Sequence, residues 1–246
     1  MSRFAVLILI VTAAGCAAAP AAFHRVPAPP RSTPPAGLAD AGAAAGPDAA
    51  ARPADTSAGA MGEAWPLVRA PYRASGTYAV VPGSAAPRPG HGPVVRYLVE
   101  VERGLPFDAR TFATEVHGAL NDPRGWARFE RVDHGPVRVR VALSSPALTI
   151  RECRPLRTGG EMSCWNGRRS IINAMRWAEG VPQYGGDLVA YRNYLISHEV
   201  GHGLGHSHRA CPGPGRPAPV MVQQTKSLGG CDPNPWPFPG EDREVS

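Results

Sequence analysis

Apolar and polar side chains alternate between residues 95 and 102. Val95, Tyr97, Val99 and Val101 fall on one side, Arg96, Glu100 and Glu102 on the other, the period of a half-buried strand. Asp108 has the chemistry of a helix N-cap, and Phe107 and Phe112 occupy the two positions of a hydrophobic staple. Phe112, Val116 and Leu120 recur every fourth residue as one apolar stripe, until Asn121-Asp122-Pro123 stops the helix. Val137, Val139 and Val141 alternate with Arg138 and Arg140, a second strand. Residues 148–173 read as strand, closed loop and strand, with Ser170 to Asn173 the returning arm. Asp187 caps a second helix running to about Leu204, with Leu188, Tyr191, Leu195, His198 and His202 on one face. After Arg209, proline and glycine leave little room for regular structure. Strands and two helices in this order predict an α+β layer fold.

The chain has 246 residues, 28 prolines and 28 glycines. Both are dense before the first strand and again after Arg209. From Ala17 to about Gly62 the sequence is mostly Ala, Pro and Gly, too poor in large apolar residues to offset ordering entropy. It reads as a disordered tether, with a pro-segment as the rival, and the folded part begins near Trp65. Ahead of it, Arg3 and the apolar run Phe4 to Ala14 form a targeting segment too short to span a membrane. That run ends in Ala13-Ala14-Gly15-Cys16, which resembles a bacterial lipobox with Cys16 as the lipidated residue. Ala13 stands where leucine is usual, so a plain secretory signal cleaved among Ala17 to Ala19 is the alternative. The organisation is thus a signal peptide at 1–16, a tether at 17–62 and one domain at 63–246, secreted or anchored to the outer face of the membrane.

The net charge of +6 changes little, because Lys226 is the only lysine and the arginine excess follows the Ala-Gly-Pro bias of a GC-rich genome. No arginine cluster is interleaved with aromatics, so nucleic acid is excluded as a partner. Setting Cys16 aside, Cys153, Cys164, Cys211 and Cys231 allow three pairings. Nearest neighbours, Cys153–Cys164 and Cys211–Cys231, close the shortest loops and are the expected disulfides. The rival, a four-cysteine zinc site, lacks any C-x-x-C pair.

The chemistry concentrates in HEVGHGLGHSH, residues 198–208. His198 and His202 stand one helical turn apart and can reach one ion, with Glu199 beside them. Gly205 lets the helix break so that the chain doubles back and brings His208 to the same ion, completing three protein ligands with an open position. Gly201 and Gly203 each cost about 1 kcal/mol in a helix interior, so close backbone approach is expected there. His206 is a rival third ligand at the wrong offset.

His198-Glu199-x-x-His202-x-x-Gly205-x-x-His208, with Met221 downstream, resembles the extended zinc signature of the metzincin metallopeptidases. The stretches DPRGW (122–126), SCWNGRR (163–169), HEVGHGLGH (198–206), CPGPGRPAPVM (211–221) and CDPNPWPFP (231–239) resemble more closely a functionally uncharacterised actinobacterial family of secreted or lipid-anchored proteins, described as metzincin-like from the same motif. The resemblance implies a twisted mixed sheet, an active-site helix and a short C-terminal subdomain. It implies one zinc per chain on His198, His202 and His208, with Glu199 as general base toward zinc-bound water and Met221 in a Met-turn. It also implies an edge strand along the cleft, for which Ser170 to Asn173 is the expectation. Two positions depart from the pattern: Gln223 stands where some metzincins have a tyrosine, and Arg209 follows the third histidine.

The expected function is therefore a zinc peptidase acting on protein or peptide, including cell-wall peptide, as a monomer that meets the membrane only through a lipid anchor. The alternatives are a zinc amidase acting on peptidoglycan cross-links and a non-catalytic zinc-stabilised binding module of the cell envelope. His24, His91, His117 and His134 read as surface or helix-face residues, and Trp165, Trp177 and Trp236 as core or cleft wall. Arg168-Arg169 read as a solvated face that neighbours the expected edge strand and would favour acidic substrates.

Overall fold

The computed structural model describes residues 68–240, all within the second of the two units into which the chain divides, Met61–Ser246. The signal segment with Cys16, the tether at 17–62, His24 and the start near Trp65 lie outside the described residues. The elements run β1 (Tyr78–Val80), β2 (Val94–Glu102), α1 (Ala109–Leu120), β3 (Arg128–Arg131), β4 (Val139–Ser144), α2 (Pro146–Glu152), β5 (Cys164–Trp165), β6 (Ser170–Asn173), α3 (Ala174–Glu179), a 3₁₀ turn (Pro182–Tyr184) and α4 (Leu188–Leu204). This is a mixed α+β fold, as the alternating patterns predict.

The sheet has six strands, with β1, β2, β4, β6 and β5 side by side. β2, β4 and β6 are parallel, and β1 and β5 are antiparallel to their neighbours. β3 runs parallel to the first half of β2, with Val94 opposite Arg128. Val132 N–H donates to Tyr97 O as Val81 N–H donates to Val99 O. Carbonyls two residues apart on a strand face one edge, so β3 continues the side of β2 that β1 occupies.

Tyr97, Val99, Val101, Val141, Leu143 and Ile172 lie on one face of the sheet, and α1 and α4 pack there. Asp108 caps α1 through Oδ1 to Thr111 N–H at 2.7 Å, and Asp187 caps α4 through Oδ1 to Ala190 N–H at 2.9 Å. Both caps stand where the sequence places them. α4 is the helix at the centre of this face, against β4, β5, β6 and α1, and it carries the candidate chemistry.

The opposite face departs from the half-buried strand that alternation predicts. Leu98, Glu100 and Glu102 are all buried. A buried carboxylate needs partners, and both have them. Glu102 accepts backbone N–H groups of Gly76 at 2.8 Å and Ser145 at 2.6 Å. Glu100 accepts Arg169 Nε at 2.6 Å and Arg140 Nη1 at 3.1 Å. Polar residues on a strand therefore mark here a face covered by the α2 layer and the loop that follows it, not by water.

Residues 148–173 also differ from expectation. The first arm is helix α2, not a strand. Pro146 opens it, and Ser145 Oγ accepts Leu148 N–H at 3.3 Å as its cap. Ser170–Asn173 is β6, buried throughout and flanked by β4 and β5, so it is not the edge strand. That edge is β5, Cys164–Trp165, only two residues long. The expected disulfides are both present, Cys153–Cys164 and Cys211–Cys231. The first packs on Ile171 and closes the loop that leads into β5. After Arg209 the described residues form no helix or strand. That tail is held by buried amides instead: Asn234 Nδ2 donates to Ala218 O and Trp236 O, and Gln224 Nε2 to Asn234 O.

Candidate metal centre

The last two turns of α4 and the return after it bring His198, His202 and His208 together. One ligand nitrogen from each lies within 4.8 Å of the other two. His202 Nε2 and His208 Nε2 are 3.1 Å apart, close to the roughly 3.3 Å expected for two nitrogens on one tetrahedral zinc. His198 Nδ1 is 2.8 Å from Val220 O, and His202 Nδ1 is 2.8 Å from His206 O. A carbonyl only accepts, so both Nδ1 atoms carry the proton, and in a neutral ring the Nε2 lone pairs are left for an ion. Burial keeps these rings neutral. It draws His198 down from 6.5 to about 3, with the Val220 bond opposing, and draws His202 and His208 below their ordinary range. Three neutral imidazoles converging through oriented nitrogens can hold a metal ion.

Backbone geometry makes this arrangement. Gly205 takes φ 103, the left-handed conformation that glycine accepts without cost. The next residue's N–H then returns to Gly201 O at 2.9 Å, ending α4 in a Schellman-type turn. That turn aims the His206 carbonyl back at His202. The His206 ring instead stacks on Trp126, with centroids 4.0 Å apart. His206 thus serves the centre with its main chain, and its imidazole is committed elsewhere.

Met221 lies buried beneath the helix. A Cβ on Gly201 would stand 2.7 Å from Met221 Sδ and 3.1 Å from the Trp126 ring. One on Gly203 would stand 3.4 Å from Trp165. The two helical glycines are thus explained by packing on both sides of the helix, as their cost implies. The Met221 segment is fastened to α4 by Tyr194, whose hydroxyl donates to Val222 O and accepts Gln224 N–H. Arg209 N–H, just after His208, donates to Met221 O at 3.0 Å.

The histidines open on a cleft of about 410 Å³, also lined by Glu199, Tyr194, Trp165, Arg157, Gln223 and Lys226. Burial alone lifts the Glu199 carboxyl from 4.5 to about 8. A bound cation acts in the opposite sense and favours the carboxylate.

This placement fixes the pH response of the metal-free chain. Glu199 binds more protons folded than unfolded, so it removes stability as pH rises from 4.5 towards 8. His198, and with it His202, His208 and His117, bind fewer protons folded, so their contributions grow with pH and are complete only about one pH unit above 6.5. Between about pH 7.5 and 9 the Glu199 effect outweighs them. The melting temperature of chelator-treated protein is expected to fall across that window, and Glu199→Gln to flatten it. A wild-type profile that is level or rising there would contradict the burial of this carboxyl.

Residues 66–232 match a family described as Protein of unknown function (DUF3152). The chain belongs to this family. No curated protein and no solved structure matches it. The DUF3152 region takes in the whole of 198–208, Met221 and all four disulfide cysteines.

Within the DUF3152 domain His198, His202, His208, Glu199 and Met221 come together where the motif places them. Trp165 is cleft wall, Trp177 is core against Phe112, and Trp236 is buried beneath Arg124. His117 bonds to Tyr97 and Ala86 O, and His91 is exposed. Sequence reasoning gave Trp126, quoted only within DPRGW, no role; its Nε1 donates to Ser197 O at 2.8 Å beside the candidate ligands. The paired glycines of α4 were the only signal that something large lay against the helix. It also missed the second role of Val220, since no pattern marks a backbone acceptor.

Proposed function

We propose that this chain is an extracytoplasmic zinc-dependent peptidase with a metzincin-like domain. The observation that carries the reading is the pairing of three neutral imidazoles, two of them fixed by main-chain carbonyls, with a buried glutamate on the same cleft. A structural zinc usually takes four protein ligands, whereas three leave a position for chemistry. The two disulfides suit an oxidising compartment, secreted or at the outer membrane face.

Zinc on His198, His202 and His208 would act as a Lewis acid on the scissile carbonyl. Glu199 takes a proton from the water whose oxygen bonds to the carbonyl carbon, and returns it to the amide nitrogen as the C–N bond breaks. The products are a carboxylic acid and an amine, between which the second water proton passes to leave a carboxylate and an ammonium, and Glu199 ends as it began. Burial suits Glu199 to this exchange, because a carboxylate pushed towards neutral pH is a stronger base than an ordinary one. Met221 and Tyr194 hold the floor on which His198 rests.

The test is elemental analysis of the purified full chain with an assay on a mixed peptide library. One zinc per chain is expected. Cleavage should cease with chelator and return with zinc, and His208→Ala should bring the zinc content well below one. A chain that stays metal-free after zinc reconstitution would sink the proposal.

A further inference from the structure

Cationic side chains enter the cleft from two segments distant in sequence. Arg157 comes from the loop closed by Cys153–Cys164, and Lys226, the only lysine of the chain, from the segment after Met221. Both are exposed, and neither has an ion-pair partner among the described residues. Arg169 and Arg176 are committed elsewhere, to Glu100 and to Glu161. Arg168-Arg169, the acidic-substrate candidates from sequence, do not line the cleft. The one carboxyl that does is Glu199, and it is buried. Lys226 Nζ donates to Gln223 Oε1 at 3.4 Å, a neutral acceptor that also lines the cleft. Leu156, beside Arg157, is 57 % exposed and lines both this cleft and an adjoining apolar hollow. The mouth thus offers unpaired positive charge, and among the described residues that line it none carries an exposed negative charge.

We infer that the cleft selects peptides bearing a carboxylate, held by Arg157 and Lys226. The inference rests on reading the cleft as a peptide site. An anionic group meeting two unpaired cations gains Coulomb attraction from both, and because the cations are exposed the gain is moderate and screened by salt. The carboxylate has two possible sources, an acidic side chain or a free C-terminus, and both share this chemistry.

The experiment uses zinc-loaded full-length Glu199→Gln, which leaves peptides intact, and measures binding by fluorescence anisotropy. The probes are labelled hexapeptides with Glu or Gln at one internal position, each with a free or amidated C-terminus. The expected result is that a carboxylate tightens binding by about fivefold at low salt, and that Arg157→Ser with Lys226→Gln removes the preference. If Glu beats Gln in amidated peptides, the side chain is the source. If only the free acid binds better, the C-terminus is. Equal binding of all four probes, no binding by any, or a preference that survives the double substitution each overturns the inference. Cleavage of the same peptides by the loaded wild-type chain is scored separately. A wild type that cuts acid and neutral probes alike refutes selection and leaves the peptidase reading standing. One that binds acids selectively but cuts nothing does the reverse.

Discussion

Replacing Glu199 by glutamine is expected to lower kcat for peptide hydrolysis by about 10²–10⁴-fold while the zinc content stays at one per chain. Glutamine keeps the shape of the side chain but cannot take a proton from water. The proposed ion would sit on His198, His202 and His208, and Glu199 is not among those candidate ligands. The backbone is also spared, because the Ser170 hydroxyl bonds to the main-chain oxygen of residue 199, not to its carboxylate. KM should therefore move far less than kcat, the pattern of an interaction made chiefly in the transition state. Parallel measurement of zinc and of both kinetic constants decides it. Activity within a few-fold of wild type would remove Glu199 from the mechanism. Loss of zinc together with activity would make it a structural support instead.

The second large effect is on stability. Glu100→Ala is expected to cost about 3–5 kcal/mol in urea denaturation of the full chain, the range for breaking a buried ion pair from one side. The carboxylate is buried and meets Arg169, whose side chain is 13 % exposed, and Arg140. Removing it leaves the Arg169 guanidinium desolvated over the Tyr78 ring, with only a distant Glu152 contact at 3.9 Å. Arg169 cannot readily swing into water, because Asn166 Oδ1 accepts its backbone N–H and Asn166 Nδ2 donates to Glu152 O. The same turn joins β5 to β6, so the substitution also loosens Trp165 over Gly203. A loss under 1 kcal/mol would show that the pair is solvated in practice.

The candidate ligand set was legible because its elements follow local rules. The 198/202 spacing is helix geometry, Asp187 is a cap, and Gly205 is the residue a left-handed turn requires. α1 was legible for the same reason, through Asp108 and its apolar stripe. The far face of the sheet was not. Glu100 and Glu102 look like solvent positions until one knows that Arg169, Arg140 and two backbone N–H groups from distant segments meet them. Such partners carry no periodic signal. α2 was lost because it is seven residues long, too short for a stripe to show, although Ser145-Pro146 announced its start. The edge strand was misassigned because two-residue β5 has no pattern of its own, while the apolar β6 beside it reads as a strand in any position.

Two of the three candidate ligands take their orientation from peptide carbonyls, at Val220 and His206. A carbonyl is supplied by whatever amino acid occupies the position. A change at 206 or 220 that keeps the packing of residue 206 on Trp126 and of residue 220 in the core therefore leaves both acceptors, and the tautomers of His198 and His202, in place. Selection acting through this feature falls instead on Gly205, whose backbone conformation delivers the carbonyl, and on Gly201, whose missing Cβ admits the segment that carries the other.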